Sequence, residues 1–306
     1  MAGPIVLATR RSPLALAQTR AVAAALEARG HAVTLREVVT TGDRWSARDA
    51  APLPDRGMFV KELEEALLAG GADLAVHSAK DLPTELPPGL AIVAVPARAD
   101  ARDVLVGAPG PDALAPGARV GTGSPRRSAQ LRALRPDLDV VGIRGNVDTR
   151  LAKLDRGEVD ALVLAAAGLA RLGIDRPDAL PLAVEVSTPA PGQGLLAIEG
   201  RAGDDAAAAA AAAALDDAEA ALCLRTERAV LAALGGGCLS PVGVHCVSGG
   251  GRLAALAFRA DDAHGAGAAR VRVEGDGSDP AGLAAEVARR LARTIGEVAP
   301  AASPLA

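Results

Sequence analysis

The sequence predicts an α/β protein with a small α+β domain at its C-terminal end. Three observations carry this. Short apolar runs alternate with helical patterns through the first two thirds of the chain, and part of that pattern occurs twice. Aromatic residues make up only 1% of the 306, so the core is built from Ala, Val, Leu and Ile. Such small aliphatic side chains suit helices packed on a mostly parallel sheet.

Ile5–Ala8 reads as a strand, and Ser12-Pro13 reads as an N-cap followed by proline at the first helical position. Leu14, Val22 and Leu26 give that helix an apolar side, and Gly30 stops it. Val33–Thr40 alternates like a strand, and Phe59–Leu68 reads as a helix with Leu63 and Leu67 on one face. Leu74–Val76 is a buried strand that runs into His77-Ser78-Ala79-Lys80-Asp81. Further on, Arg119-Val120 leads through Gly121-Thr122-Gly123-Ser124-Pro125 into another helix. The string Ser-Pro-x-x-x-Ala-Gln occurs at Ser12–Gln18 and again at Ser124–Gln130, and Ala72–Val76 echoes Val159–Val163. Either two lobes share a topology and aim helix N-termini at one cleft, or helix-capping chemistry and chance produce the echo.

Gly203–Asp217 is an alanine-rich surface helix, since alanine is the strongest helix former. Glu219–Leu234 reads as another helix, broken by Gly235-Gly236-Gly237. Val242–Val247, Arg252–Arg259 and Arg270–Glu274 alternate like strands, and Leu283–Ile295 is a last amphipathic helix. These last segments read as a small α+β third domain, 216–306.

The net charge of −4 provides no global basic field for nucleic acid. The N-terminus lacks the pattern of a signal peptide, and no run of about 18 apolar residues would span a bilayer. A cytoplasmic monomer acting on a small molecule is expected, with no nucleic acid, membrane or metal. Three cysteines without CxxC spacing argue against a disulfide framework or a metal site.

Four groups of residues carry candidate chemistry. Thr9-Arg10-Arg11-Ser12 and Thr122-Gly123-Ser124-Pro125-Arg126-Arg127 set arginines beside helix N-termini, where free N–H groups bind anions. Each segment alone reads first as a cap with solvated arginines. Arg144 follows the predicted strand Val140–Ile143, with Arg150 and Arg171 in the helices beyond. Together with Arg126 and Arg127 they form a rim suited to a polycarboxylate, since no GxxxxGK[ST] loop is present. The alternative is ion pairs with Asp148, Asp155 and Glu158. In His77–Asp81, the Asp81 carboxylate can serve as an acid–base group or hold a developing cation, or it can simply cap the loop. Cys238 follows three glycines and is the accessible thiol, whereas Cys223 and Cys246 sit among apolar neighbours. Cys238 can equally be a structural cysteine, and no histidine lies near it in sequence.

These residues lie in segments that together resemble the hydroxymethylbilane synthase (porphobilinogen deaminase) family: LATRRSPLALAQT (7–19), GMFVKELEEALL (57–68) and ADLAVHSAKDLPTELP (72–87). The resemblance continues in GTGSPRRSAQL (121–131), residues 143–173, PAPGQGLLAIE (189–199) and GGGCLSPVG (235–243). It implies two lobes like those of type II solute-binding proteins, the first of residues 1–97 and 195–215 and the second of 98–194, and a third domain bearing Cys238. It implies a dipyrromethane cofactor bound covalently to Cys238. Four porphobilinogen molecules would each lose ammonia and be joined to it, and hydrolysis would then release hydroxymethylbilane. Asp81 matches the family's catalytic aspartate. Lys80, Ser124, Arg126, Arg127, Arg144 and Arg150 match cofactor-binding positions, and Arg10, Ser12, Phe59, Thr122, Arg171 and Gln193 match substrate-binding ones. Departures are Arg56 in place of a common lysine, Gly123 in place of a serine, Leu195 in place of an alanine, and an unfamiliar loop Asp43–Arg56. Two other readings compete: a non-enzymatic two-lobed binder of an anionic metabolite, and a cysteine-dependent hydrolase.

Overall fold

The computed structural model describes residues 3–44, 59–203, 205–237 and 240–298. Strand β1 (Ile5–Arg10) is covered on both faces, so Leu7 and Ala8 are both fully buried. Ser12 caps helix α1 (Pro13–Glu27) by accepting from Ala15 N–H. Val22 and Leu26 of α1 pack on Ile5, Leu7 and Val76. Strand β2 (Val33–Val38) ends two residues short of the expected strand, and a short turn of helix, α2 (Thr41–Arg44), follows. Helix α3 (Lys61–Leu68) begins after a turn at Phe59 and Val60, and its Leu63 and Leu67 cover the opposite face of the sheet. Strands β3 (Leu74–Ser78) and β4 (Leu90–Ala94) complete the first pass.

The chain then crosses to a second sheet and enters it at β5 (Asp103–Val106). There follow β6 (Arg119–Gly121), α4 (Pro125–Leu134), β7 (Asp139–Val141), α5 (Val147–Asp155), β8 (Ala161–Ala165), α6 (Ala166–Arg171) and β9 (Ala179–Pro181). It returns to the first sheet as β10 (Leu196–Arg201). The strand orders are β2-β1-β3-β10-β4 and β7-β6-β8-β5-β9. In each sheet four strands run parallel and one opposes them, and the opposing strand is the one that enters after a crossing, β5 or β10. The two sequence echoes fall on equivalent elements: Ser12 and Ser124 cap α1 and α4, and the second echo lies on β3 and β8. Shared topology therefore accounts for the repeat. It also aligns the carboxyl ends of the parallel strands, where ligands bind in open α/β sheets.

Helix α7 (Ala206–Leu215) is less exposed than a surface helix: its Ala208 and Ala211 are buried, and Ala211 packs into the first lobe's core. Helix α8 (Ala218–Ala233) has two apolar faces. Ala220, Ala221 and Leu224 pack on Val60, Ala79, Leu82 and Leu195, while Cys223, Val230 and Leu231 pack on an antiparallel sheet. That sheet is β11 (Val242–Gly249), β12 (Arg252–Arg259) and β13 (Ala269–Asp276), backed by α9 (Pro280–Val298).

One fully buried carboxylate ties the crossings to this third sheet. Glu227 of α8 accepts from Arg98 Nη2 at 2.7 Å, Gly192 N–H at 2.6 Å and Cys246 N–H at 2.7 Å. Burial pushes its carboxyl up despite these donors. Burial beside Arg98 holds His245 down at about 4, so the ring is neutral near pH 7 and its Nδ1 accepts from Arg98 Nη1. Gly192 must be glycine: its φ is +78°, and a Cβ would lie 3.0 Å from the backbone of Ala79 and Lys80. Glu227→Ala would strand a guanidinium and two buried N–H groups. We expect a loss of about 3–5 kcal/mol in urea unfolding; a loss below about 1 kcal/mol would show that the pin carries little of the fold.

Candidate functional site

The first lobe supplies a pocket at the carboxyl ends of β1 and β3. Its walls include Arg10, Ser12, Gln18, Phe59, His77, Ser78 and Asp81, around open-sided space of about 400 Å³. Asp81 lies on a single 3₁₀ turn that directly continues β3. Arg10 stacks over the Phe59 ring at 4.1 Å, and its Nη2 meets Asp43 at 2.6 Å. Burial works to raise the Asp43 carboxyl, but Arg10 and the Thr40 donors outweigh it and hold it below its ordinary range. The rest of the Asp43–Arg56 loop lies outside the described residues, apart from the backbone of Arg44.

The second lobe supplies the cations. Arg126 and Arg127, in the first turn of α4, are almost fully buried. Both grip Asp103, the first residue of β5. Arg126 Nη1 reaches Oδ2 at 2.7 Å, and Arg127 donates to Oδ1 from Nε at 2.9 Å and from Nη2 at 2.7 Å. Ser187 Oγ and Gln193 Nε2 donate to the same carboxylate at 2.6 and 2.8 Å. Burial opposes ionisation of Asp103, yet the two guanidiniums drive its carboxyl far below the carboxylate range. Two of the three suggested ion-pair partners lie elsewhere: Asp155 meets Arg176 and Glu158 meets Arg156. Asp103 carried no sequence pattern that marked it.

The remaining predicted residues of the second lobe lie in α4, α5 and α6 and in the loops that lead into them. Thr122 is buried, and its Oγ1 accepts from Ser124 N–H. Ser124 caps α4. Arg150 is half-buried, with Nε on Gly145 O at 2.8 Å, and burial and the Arg127 charge lower its pKa. Arg171 donates from Nη2 to Gly194 O at 2.7 Å. Arg144 does not directly follow a strand: β7 stops at Val141 because its neighbour β6 turns away into α4, leaving Arg144 exposed on the loop beyond. Gly123 leaves no room for a serine, whose Cβ would lie 2.9 Å from Ile143 O. Lys80 reaches into the same field. Burial, then Arg127 and Arg126, lower it to about 8 against the opposing pull of Asp81 and Asp103.

Cys238 lies outside the described residues; on either side of it, Gly237 N–H donates to Ser240 Oγ at 2.9 Å. Gly243, five positions on, packs against Thr188, whose carbonyl accepts from Arg126 Nη1 at 2.6 Å. Cys223 and Cys246 are buried free thiols, as their apolar surroundings predict.

Sequence reasoning also missed a buried acidic group beneath the pocket. His77 Nε2 lies 3.0 Å from Glu199 Oε2, and both side chains are buried. Glu64 of α3 faces them, raised to about 7 by burial and then by the Glu199 charge. A carboxyl raised in this way stabilises the fold below its ordinary value of 4.5, and that contribution is lost as pH rises through 7. Glu64→Gln should therefore gain stability relative to wild type between pH 5 and 8, by roughly 1–3 kcal/mol. Denaturant midpoints at the two pH values check this, and an unchanging difference would contradict it.

Two family domains match the sequence. Residues 5–209 match the dipyrromethane cofactor-binding domain of porphobilinogen deaminase, and residues 221–293 match its C-terminal domain. A porphobilinogen deaminase from Roseiflexus castenholzii is 46% identical over 295 residues, covering 95% of this chain and 96% of that protein. One from Rubrobacter xylanophilus is 52% identical over 252 residues, covering 82% of each. Among solved structures, a nutrient-binding protein from Burkholderia cenocepacia bound to methionine aligns at TM-score 0.41 and 11% identity, over 68% of this chain and 89% of that one. Both family domains match in order along nearly the whole chain, and the chain belongs to the porphobilinogen deaminase family.

Proposed function

We propose that the chain joins four porphobilinogen molecules head to tail, losing ammonia at each step, and releases linear hydroxymethylbilane. The observation that carries this reading is the crowding of Lys80, Arg126, Arg127 and Arg150 at the cleft edge that also presents Asp81. Each porphobilinogen bears two carboxylates, so the product gains negative charge with every addition. Arg127 helps lower the pKa of Lys80, Arg126 and Arg150, and that repulsion is relieved when such an anion arrives.

The same residues fit a dipyrromethane cofactor, itself a small polycarboxylate. Cys238 would carry it through a thioether, and Lys80, Ser124, Arg126, Arg127, Arg144 and Arg150 would hold its carboxylates. When bound, it supplies the pyrrole carbon to which the first substrate unit is joined. Arg126 and Arg127, tied to Asp103, act chiefly through their field. Lys80, Arg144 and Arg150 offer the more direct donors.

Arg10, Ser12, Thr122, Arg171 and Gln193 hold the incoming substrate. Phe59 packs beside its ring in the first-lobe pocket. Asp81 binds the pyrrole N–H and steadies the carbon that becomes positive as ammonia departs. The reaction is assigned to a monomer in the cytoplasm; among the described residues no helix is long and apolar enough to cross a membrane. A non-enzymatic binder of an anionic metabolite would share the lobes and cations but would give Asp81 and Cys238 no task.

Intact mass tests the attachment. Protein from cells that make porphobilinogen should carry the excess of two pyrrole units, and Cys238→Ser should abolish it; unmodified wild-type protein would overturn the claim. Asp81→Asn should fold and bind substrate but turn over about 10²-fold more slowly. Near-normal turnover would remove Asp81 from the mechanism.

A further inference from the structure

His77 has no role in the reaction described above, yet it lines the same pocket as Asp81 and Arg10. It is 5% exposed, and beneath it Glu199 of β10 is fully buried. The antiparallel register places His77 opposite Ala197, so Glu199, two residues on, lies on the same sheet face. The 3.0 Å approach to Nε2 lies off the ideal N–H line, so the contact is electrostatic before it is a hydrogen bond. A carboxylate at Nε2 favours a proton there and leaves Nδ1 as the basic nitrogen. The charged groups around the ring are Glu199 from β10, Glu64 from α3, Asp81 on the turn after β3 and Arg10 at the end of β1.

Building on the function proposed above, we propose that His77 is a second acid–base residue of this pocket, oriented by Glu199, that accepts on Nδ1 the proton released at each addition. Each addition breaks one C–N bond and forms one C–C bond. Ammonia leaves with the C–N bonding pair, and the pyrrole carbon that makes the new bond sheds one C–H proton. His77 Nδ1 takes that proton and returns it to the ammonia, which departs as ammonium. Asp81 is thereby freed to stay ionised beside the positive carbon while His77 moves the proton. Two groups share two tasks that conflict in one carboxylate.

The chain has four histidines, so each imidazole can be followed by ¹⁵N NMR in the full-length protein. In wild type, His77 should carry its neutral-form proton on Nε2, and Glu199→Gln should weaken that preference. A His77 ring protonated on Nδ1, or doubly protonated throughout the neutral range, would overturn the proposal whether or not the protein carries pyrrole. Kinetics supply the second arm, with porphobilinogen deuterated at its free α-carbon. His77→Gln should keep the two-pyrrole mass excess, lose about 10²-fold in kcat with little change in KM, and show a larger deuterium effect than wild type. Normal kcat, or a slow variant whose isotope effect stays at the wild-type value, would assign His77 a structural part only. If His77→Gln does not fold, Glu199→Gln carries the same isotope test. Absence of pyrrole from wild-type protein, with the NMR result as expected, would instead strike at the function proposed above.

Discussion

Two adjacent arginines can be buried in the first turn of a helix only if a carboxylate is buried with them. The helix dipole is positive at that end, and each guanidinium raises the cost of the other. Asp103 meets this need, accepting from both arginines, from Ser187 and from Gln193. It can do so because it opens β5, the one strand of its sheet that runs against the others and so begins at the cleft edge. The equivalent strand of the first lobe, β10, begins there with Leu196. Equal topology thus carries unequal charge: the second lobe concentrates buried cations, while the first lobe presents Asp81 and His77.

The same carboxylate also constrains the crossings. Gln193 is tied to Asp103, and its neighbour Gly192 is tied to Glu227 of the third domain. Adjacent residues of one connecting segment are thereby held by buried charges in two different bodies. Gly192 packs on the turn that bears Lys80 and Asp81. A rotation of one lobe against the other would therefore act on the backbone packed against the turn that bears Lys80 and Asp81. Shifts in the cleft and shifts in the third domain are mechanically linked at this point.

Much of this was legible in the sequence because caps and periodicity are local. Ser12 and Ser124 announced two helix starts, and the second echo marked two equivalent strands. The strands beside the crossings were less visible. Asp103–Val106 and Ala179–Pro181 are too short to show a period, and their identity rests on partners far away in the chain. Arg126 and Arg127 were visible as charges, but not their burial. Asp103, Glu199 and Glu227 escaped notice for the same reason. A carboxylate in an ordinary strand or helix looks solvent-exposed until folding brings its donors from 19 to 129 residues away. Arg10 illustrates the middle case: its place at a helix start was plain, and its contact with Asp43 was not.

The electrostatics also indicate where binding energy for a polyanion would arise. Arg126 and Arg127 have few donors to offer, since most already meet Asp103 or backbone carbonyls. Their charge is still felt nearby: Arg127 lowers both Lys80 and Arg150. In this arrangement Asp103 satisfies the hydrogen bonds of the two arginines without neutralising both charges. The residual positive potential falls on the half-buried Lys80 and Arg150 at the rim. A carboxylate arriving there gains from the direct contact and from cancelling repulsion that folding had already stored. Fixed buried cations need no reorganisation as the anion lengthens, so one rigid field can serve several successive occupants.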